Sequence, residues 1–184
     1  MQRIMLLLSL VIVCFATATQ AQTTAPKPDP ALKQLHGLLG HWTYTCEYQA
    51  TPLGPAYTTA GEYTDQMILG GFFLKGQFKE KSTNGEFEGL EVMRYDPEKK
   101  NFAISGYQND GGNYSGTVTV KGTTVTNAVT FLIGGKPYES RATIVYASDW
   151  TSADWKAEIS SDGGKTWAPW FEQKMTKLKP ATKK

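Results

Sequence analysis

The chain has 184 residues with 19 Lys and Arg against 17 Asp and Glu, a balance too near neutral to suggest a nucleic-acid partner. Of its two cysteines, Cys14 lies in the apolar leader described next. Only Cys46 remains beyond it, so the core and not an internal disulfide must hold the fold together.

Met1, Gln2 and Arg3 give a short positive start, Ile4 to Ala16 form an apolar run, and Thr19-Gln20-Ala21 supply small and polar residues. This is the layout of a cleavable secretion signal over 1–21, and it places the protein in the periplasm or outside the cell. The run is shorter than the roughly 20 residues that span a bilayer, so no stable membrane anchor is expected. Val13 before Cys14 stands where a lipid-attachment site requires a small residue, which argues against lipidation. Residues 22–29, with two prolines, read as a linker, 30–178 as one domain, and 179–184 as a basic tail.

Asp29 and Pro30 form an N-cap and first-turn pair. Leu32, Leu35, Leu38 and Leu39 then follow at helical spacing until Gly40, which predicts one short amphipathic helix. From His41 the period changes to two. Trp42, Tyr44, Cys46 and Tyr48 alternate with Thr43, Thr45, Glu47 and Gln49, and similar runs begin near Tyr57, Phe72, Phe87, Phe102, Tyr114, Val125, Tyr138, Trp155 and Trp167. Turn signals separate them, among them Leu69-Gly70-Gly71, Asn84-Gly85, Asp96-Pro97, Asp110-Gly111-Gly112, Gly134-Gly135 and Asp162-Gly163-Gly164. The expectation is an all-β fold, an antiparallel up-and-down barrel of about ten strands behind one short N-terminal helix. A sandwich has the same strand count, but sequential hairpins that return the last strand to the first leave no exposed edge.

Leu35-x-x-Leu38-x-Gly40-x-Trp42, Gly70-Gly71-x-x-Leu74, Gly89, Tyr95-Asp96-Pro97 and Asp162-Gly163-Gly164 before Trp167 resemble the bacterial family catalogued as domain of unknown function 1579. The resemblance spreads over nearly the whole domain and implies a lipocalin-like barrel, without a chemistry. Nitrobindins, which are related haem-binding barrels, use a histidine late in the chain. Here both histidines, His36 and His41, lie near the start.

No Gly-x-Ser-x-Gly elbow, Ser-x-x-Lys motif or phosphate-cradling loop occurs, and two histidines without a third ligand at suitable spacing make no metal site. No cofactor is implied, and the reading is non-enzymatic. The expected ligand-binding residues of the interior are Trp42, Tyr44, Tyr48, Phe72, Leu74, Phe78, Arg94, Phe102, Asn127, Phe131, Trp155 and Phe171. Leu90, Val92, Val118, Val120, Val129, Ile104 and Gln108 share that face by parity. Such a lining either surrounds a small hydrophobic ligand or packs as a dry core. Arg94, placed inside by its spacing from Leu90 and Val92, is the expected anchor for an acidic ligand unless it reaches solvent near its turn.

Two other readings stay open. One is an interaction protein with a filled core; the other is a hydrolase or isomerase using carboxylates such as Asp65 or Glu88, which a strongly raised carboxyl pKa inside the pocket would favour. Ser160 to Trp167 match the Asp-box hairpin of propeller proteins, in a single copy that reads as a stabilising turn. Trp150, Trp167 and Trp170 form a candidate aromatic platform. Asn113-Tyr114-Ser115 is a glycosylation sequon, relevant only in a eukaryote. Nothing in the sequence assigns an oligomeric state.

Overall fold

The computed structural model describes residues 25–82 and 85–179. The expected signal peptide, the first part of the linker, Asn84 of one turn signal and residues 180–184 of the tail lie outside the described residues.

Ten antiparallel strands close into a barrel in which each strand pairs with the next and β1 pairs with β10. They are β1 (Gly40–Tyr48), β2 (Tyr57–Ile68), β3 (Phe73–Ser82), β4 (Gly85–Asp96), β5 (Asn101–Gln108), β6 (Asn113–Lys121), β7 (Thr124–Ile133), β8 (Lys136–Tyr146), β9 (Ser152–Ser160) and β10 (Ala168–Lys177). The expected alternating runs all correspond to strands, and closure removes the open edges that would template aggregation.

The N-terminal element departs from expectation. Pro30–Leu35 form a 3-10 turn and not an amphipathic α-helix, with Leu32 N–H donating to Asp29 O and His36 N–H to Lys33 O. The reason lies in the leucines. Leu32, Leu35 and Leu38 are buried at a spacing of three, the period at which 3-10 side chains eclipse, whereas Leu39 is only half-buried. Asp29 caps the turn through Oδ1, 2.8 Å from Ala31 N.

This turn plugs one end of the barrel. Trp42, 1% exposed, donates its indole N–H to Leu38 O at 2.8 Å and meets Tyr146 edge-on. Lys177 lies over the Trp42 ring, 4.6 Å from its centre, and donates to Gly37 O. Trp150 packs against Tyr146 and fills the space over Gly37, where a Cβ would stand 2.3 Å from the indole. The closed end is therefore an interlocked floor of packed side chains.

β4 runs in the register opposite to the expected one. Glu91 and Met93 are buried inside, while Arg94 is exposed on the outer face and Leu90 and Val92 alternate outward with it. Two apolar residues on the outer face and a carboxylate on the inner one reverse the usual pattern, so parity misplaced the strand by one residue.

Candidate functional site

A cavity of about 740 Å³ occupies the other half of the barrel, within the range of roughly 300–1,000 Å³ common for small-molecule sites. It opens between the β1–β2, β3–β4, β5–β6 and β7–β8 turns. Of the residues expected to line the interior, Tyr44, Tyr48, Phe78, Asn127, Phe131, Trp155 and Phe171 do so. Trp42, Leu74 and Phe102 are fully buried away from the cavity, in the packed core, and Phe72 sits half-buried in the turn before β3. Arg94 faces outward and anchors nothing inside.

Alternation had pointed to the apolar half of the site. It missed the polar half, which rests on a repeated device: an aromatic on one strand crosses a glycine on the next and reaches a glutamate on the strand beyond. Tyr44 of β1 lies over Gly61 of β2, and its hydroxyl donates to Glu80 Oε2 of β3 at 3.0 Å. Tyr63 of β2 lies over Gly76 of β3 and donates to Glu91 Oε1 of β4. From the other side, Tyr114 of β6 lies over Gly106 of β5 and donates to Glu91 Oε2 at 2.5 Å. Each glycine leaves the gap its ring fills, since a Cβ at Gly61, Gly76 or Gly106 would fall within 2.6 Å of a tyrosine atom.

Glu91 is buried and Glu80 partly so. Burial pushes the Glu91 carboxyl above its ordinary range, against the lowering effect of the two phenols. Burial likewise raises Glu80, with Tyr44 and Thr59 acting in the opposite direction. Asp65, deeper in β2, is raised well above its usual range, first by burial and then by the Glu91 charge, while Lys177 pulls it down. Its Oδ1 has no hydrogen-bond partner among the described residues. Glu88, the other carboxylate expected to carry chemistry, is on the surface and pairs with Lys79 at 3.2 Å.

Polar side chains also line the cavity. Gln173 and Ser140 line it at 8% and 4% exposure, and neither side chain hydrogen-bonds to another described residue. Trp155 lines it too, and its indole N–H is buried with no acceptor among the described residues. Gln173 and Ser140 thus bring hydrogen-bonding groups to the cavity wall, whereas the Trp155 N–H is an orphaned buried donor of a kind folded proteins rarely keep.

The remaining sequence candidates fall elsewhere. His36 is exposed, and His41 is an exposed partner of Glu62 at 3.1 Å. No group of three or more His, Cys, Asp or Glu able to hold a metal stands together among the described residues. In the Asp-box turn, Asp162 Oδ1 accepts from Lys165 and Thr166 N–H, each at 3.0 Å, and Gly163 and Gly164 take positive φ, as a stabilising hairpin requires. Trp150 lies at the closed end, whereas Trp167 and Trp170 lie at the open end, so the three make no common platform.

The sequence matches the family described as "Protein of unknown function (DUF1579)" over residues 27–176. The chain belongs to the DUF1579 family. No curated protein matches it. Among solved structures, this DUF1579 barrel is similar to Rv2717c from M. tuberculosis, with a TM-score of 0.60 and 13% identity over 83% of this chain and 100% of that one. It is also similar to the S-type phycobiliprotein lyase CPES from Guillardia theta, with a TM-score of 0.54 and 12% identity over 80% and 92% of the two chains. At these identities the likeness is one of fold: the DUF1579 chain shares a closed barrel with proteins of very different sequence.

Proposed function

We propose that this protein is an exported, non-enzymatic carrier or sensor that holds one small amphipathic molecule in the open half of its barrel. The observation that supports this most directly is the cavity itself, an apolar wall on which the Gln173 and Ser140 side chains make no hydrogen bond to another described residue. A dry core would have closed around these groups or replaced them by apolar ones. The apolar remainder, from Tyr48 through Phe131 to Phe171, supplies the burial, at about 0.8 kcal/mol for each ligand methylene taken from water. Export rests on the leader over 1–21.

Native mass spectrometry of protein purified without detergent from the exported fraction tests both parts. The expected result is a chain beginning at Gln22 that carries one small molecule, recoverable by solvent extraction. A chain that is empty and also ignores neutral aromatic probes would overturn the carrier reading and favour an interaction protein. A chain that retains residues 1–21 would overturn the export.

A second reading has its own observation. Glu91 is a cavity carboxyl that burial raises above its ordinary range against the lowering effect of two phenols, a kind of perturbation found at acid–base sites. Proton abstraction from a bound molecule would then depend on Glu91. Incubation of the extracted molecule with protein in deuterium oxide would show deuterium incorporation that Glu91→Gln abolishes; no incorporation removes this reading.

A further inference from the structure

The cavity has a charge sign. The charged residues lining it are Glu80, Glu86, Glu91 and Asp110, every one acidic, although the whole chain carries a net charge of +2. Glu86 is neutralised at the rim by Lys81, 2.7 Å away. No Lys, Arg or His pairs with Glu80 or Glu91 among the described residues. A low-dielectric wall carrying one sign of charge concentrates ions of the other sign and repels its own.

The two interior glutamates do different work. Glu91 uses both oxygens on Tyr63 and Tyr114. It stands opposite Gly76, four residues deeper than Glu80, or about 13 Å along the sheet. At Glu80 the two protein donors, the Tyr44 and Thr59 hydroxyls, both fall on Oε2, so Oε1 is free. Tyr44 brings its hydroxyl to Glu80, and Tyr48 and Tyr57, stacked on each other with ring centres 4.4 Å apart, line the same cavity on the side of its mouth. A carboxylate oxygen without a protein donor, in an acidic wall that also carries tyrosines, is an arrangement that recognises an ammonium group, by Coulomb attraction to which the rings add.

We propose that the cavity takes an organic cation, a primary to quaternary amine on an apolar or aromatic body, with its nitrogen at Glu80, on the wall that carries Tyr44, Tyr48 and Tyr57. The body runs inward along Phe171 and Trp155. Gln173 and Ser140 then meet polar atoms that it carries. This inference rests on the carrier reading and narrows it. It also excludes fatty acids, whose carboxylate would enter against Glu80 and Glu91.

The test uses three probes with one body and three charges: naphthylmethyl-trimethylammonium, naphthylmethanol and naphthylacetate. Binding to the mature protein is followed by calorimetry at neutral pH and low salt. The ammonium is expected to bind at least tenfold more tightly than the alcohol, with naphthylacetate weakest. Glu80→Gln should erase that preference while leaving the alcohol within twofold, and Tyr57→Leu should weaken the ammonium severalfold in a chain whose circular dichroism is unchanged. Alcohol binding as tight as ammonium binding would overturn the cation assignment and leave the carrier reading standing. If none of the three binds, both fall. The wild-type comparison alone decides the sign, should either variant fail to fold.

Discussion

The hydroxyl of Tyr114 lies 2.5 Å from Glu91 Oε2, although a whole strand separates the two residues in the sheet. Gly106 on the intervening strand makes that span available. A Cβ there would stand 2.1 Å from the Tyr114 ring. Gly106→Ala is therefore expected to displace the ring and break the contact to Glu91, destabilising the barrel by about 1–3 kcal/mol. A double-mutant cycle with Tyr114→Leu, read by urea denaturation, should show strong coupling. Additive losses would mean that the glycine matters for another reason.

Stability should fall as pH rises above the ordinary carboxylate range. Asp65, Glu80 and Glu91 are all raised by burial in the folded state. A carboxyl that holds its proton more tightly folded than unfolded contributes fully below about pH 4, and the contribution is lost as pH climbs through the higher folded value. The groups facing Glu91 are Tyr63, Asp65, Tyr114 and Tyr146; those facing Glu80 are Tyr44, Cys46, Tyr48, Tyr57 and Thr59. Lys177, which acts on Asp65, works against the trend. On the surface Glu86, Asp149, Glu158 and Asp162 have the opposite shift, so their contribution disappears only on the acid side. Urea midpoints should therefore peak in mild acid and decline toward neutrality. Glu91→Gln, which keeps a polar partner for the two phenols without the charge, should flatten the decline.

The Cys46 thiol should be inert in the folded protein. It is 1% exposed on the inner face of β1, and burial, with the nearby Glu80 charge adding to it, pushes the thiol up to about 12. Thiolate is the reactive form, so almost none is present at neutral pH. A disulfide reagent should label Cys46 within minutes in denaturant and only at the rate of unfolding without it. Rapid labelling of the native protein would place Cys46 at an accessible surface.

Strand number, turn positions and the inward face of β1 were legible because apolar and polar residues alternate there without exception from Trp42 to Gln49. β4 was not, because its inner face carries Gly89, Glu91 and Met93 while Leu90 and Val92 face out. The cost of burying Glu91 is offset by Tyr63 and Tyr114, residues 28 and 23 positions away, which no local pattern can show. The leucine spacing near the N-terminus was similarly ambiguous, since three and three-and-a-half residue periods differ little over two turns. What the sequence did hold was the partner of each crossing ring: Gly61, Gly76 and Gly106 interrupt strand runs where nothing about a turn calls for glycine.

Two phenylalanines on the inner face separate packing from binding. Phe102 is 2% exposed, packs on Tyr95 and lies outside the cavity lining. Phe102→Ala should cost about 3–5 kcal/mol, the loss expected when a buried ring leaves a void, and should not change the affinity of molecules that remain folded. Phe131 lines the cavity near its mouth, half-buried and stacked on Trp170 with centres 5.3 Å apart. Its truncation removes less buried area, so Phe131→Ala should cost roughly half as much in stability. Because the ring lines the cavity, the same change should weaken naphthylmethanol binding severalfold. Thermal melts and calorimetry on the two variants give four numbers, and the prediction is a crossover: Phe102 dominates stability and Phe131 dominates affinity. If both variants lose stability and affinity in proportion, the cavity is part of one continuous core and has no separate binding wall.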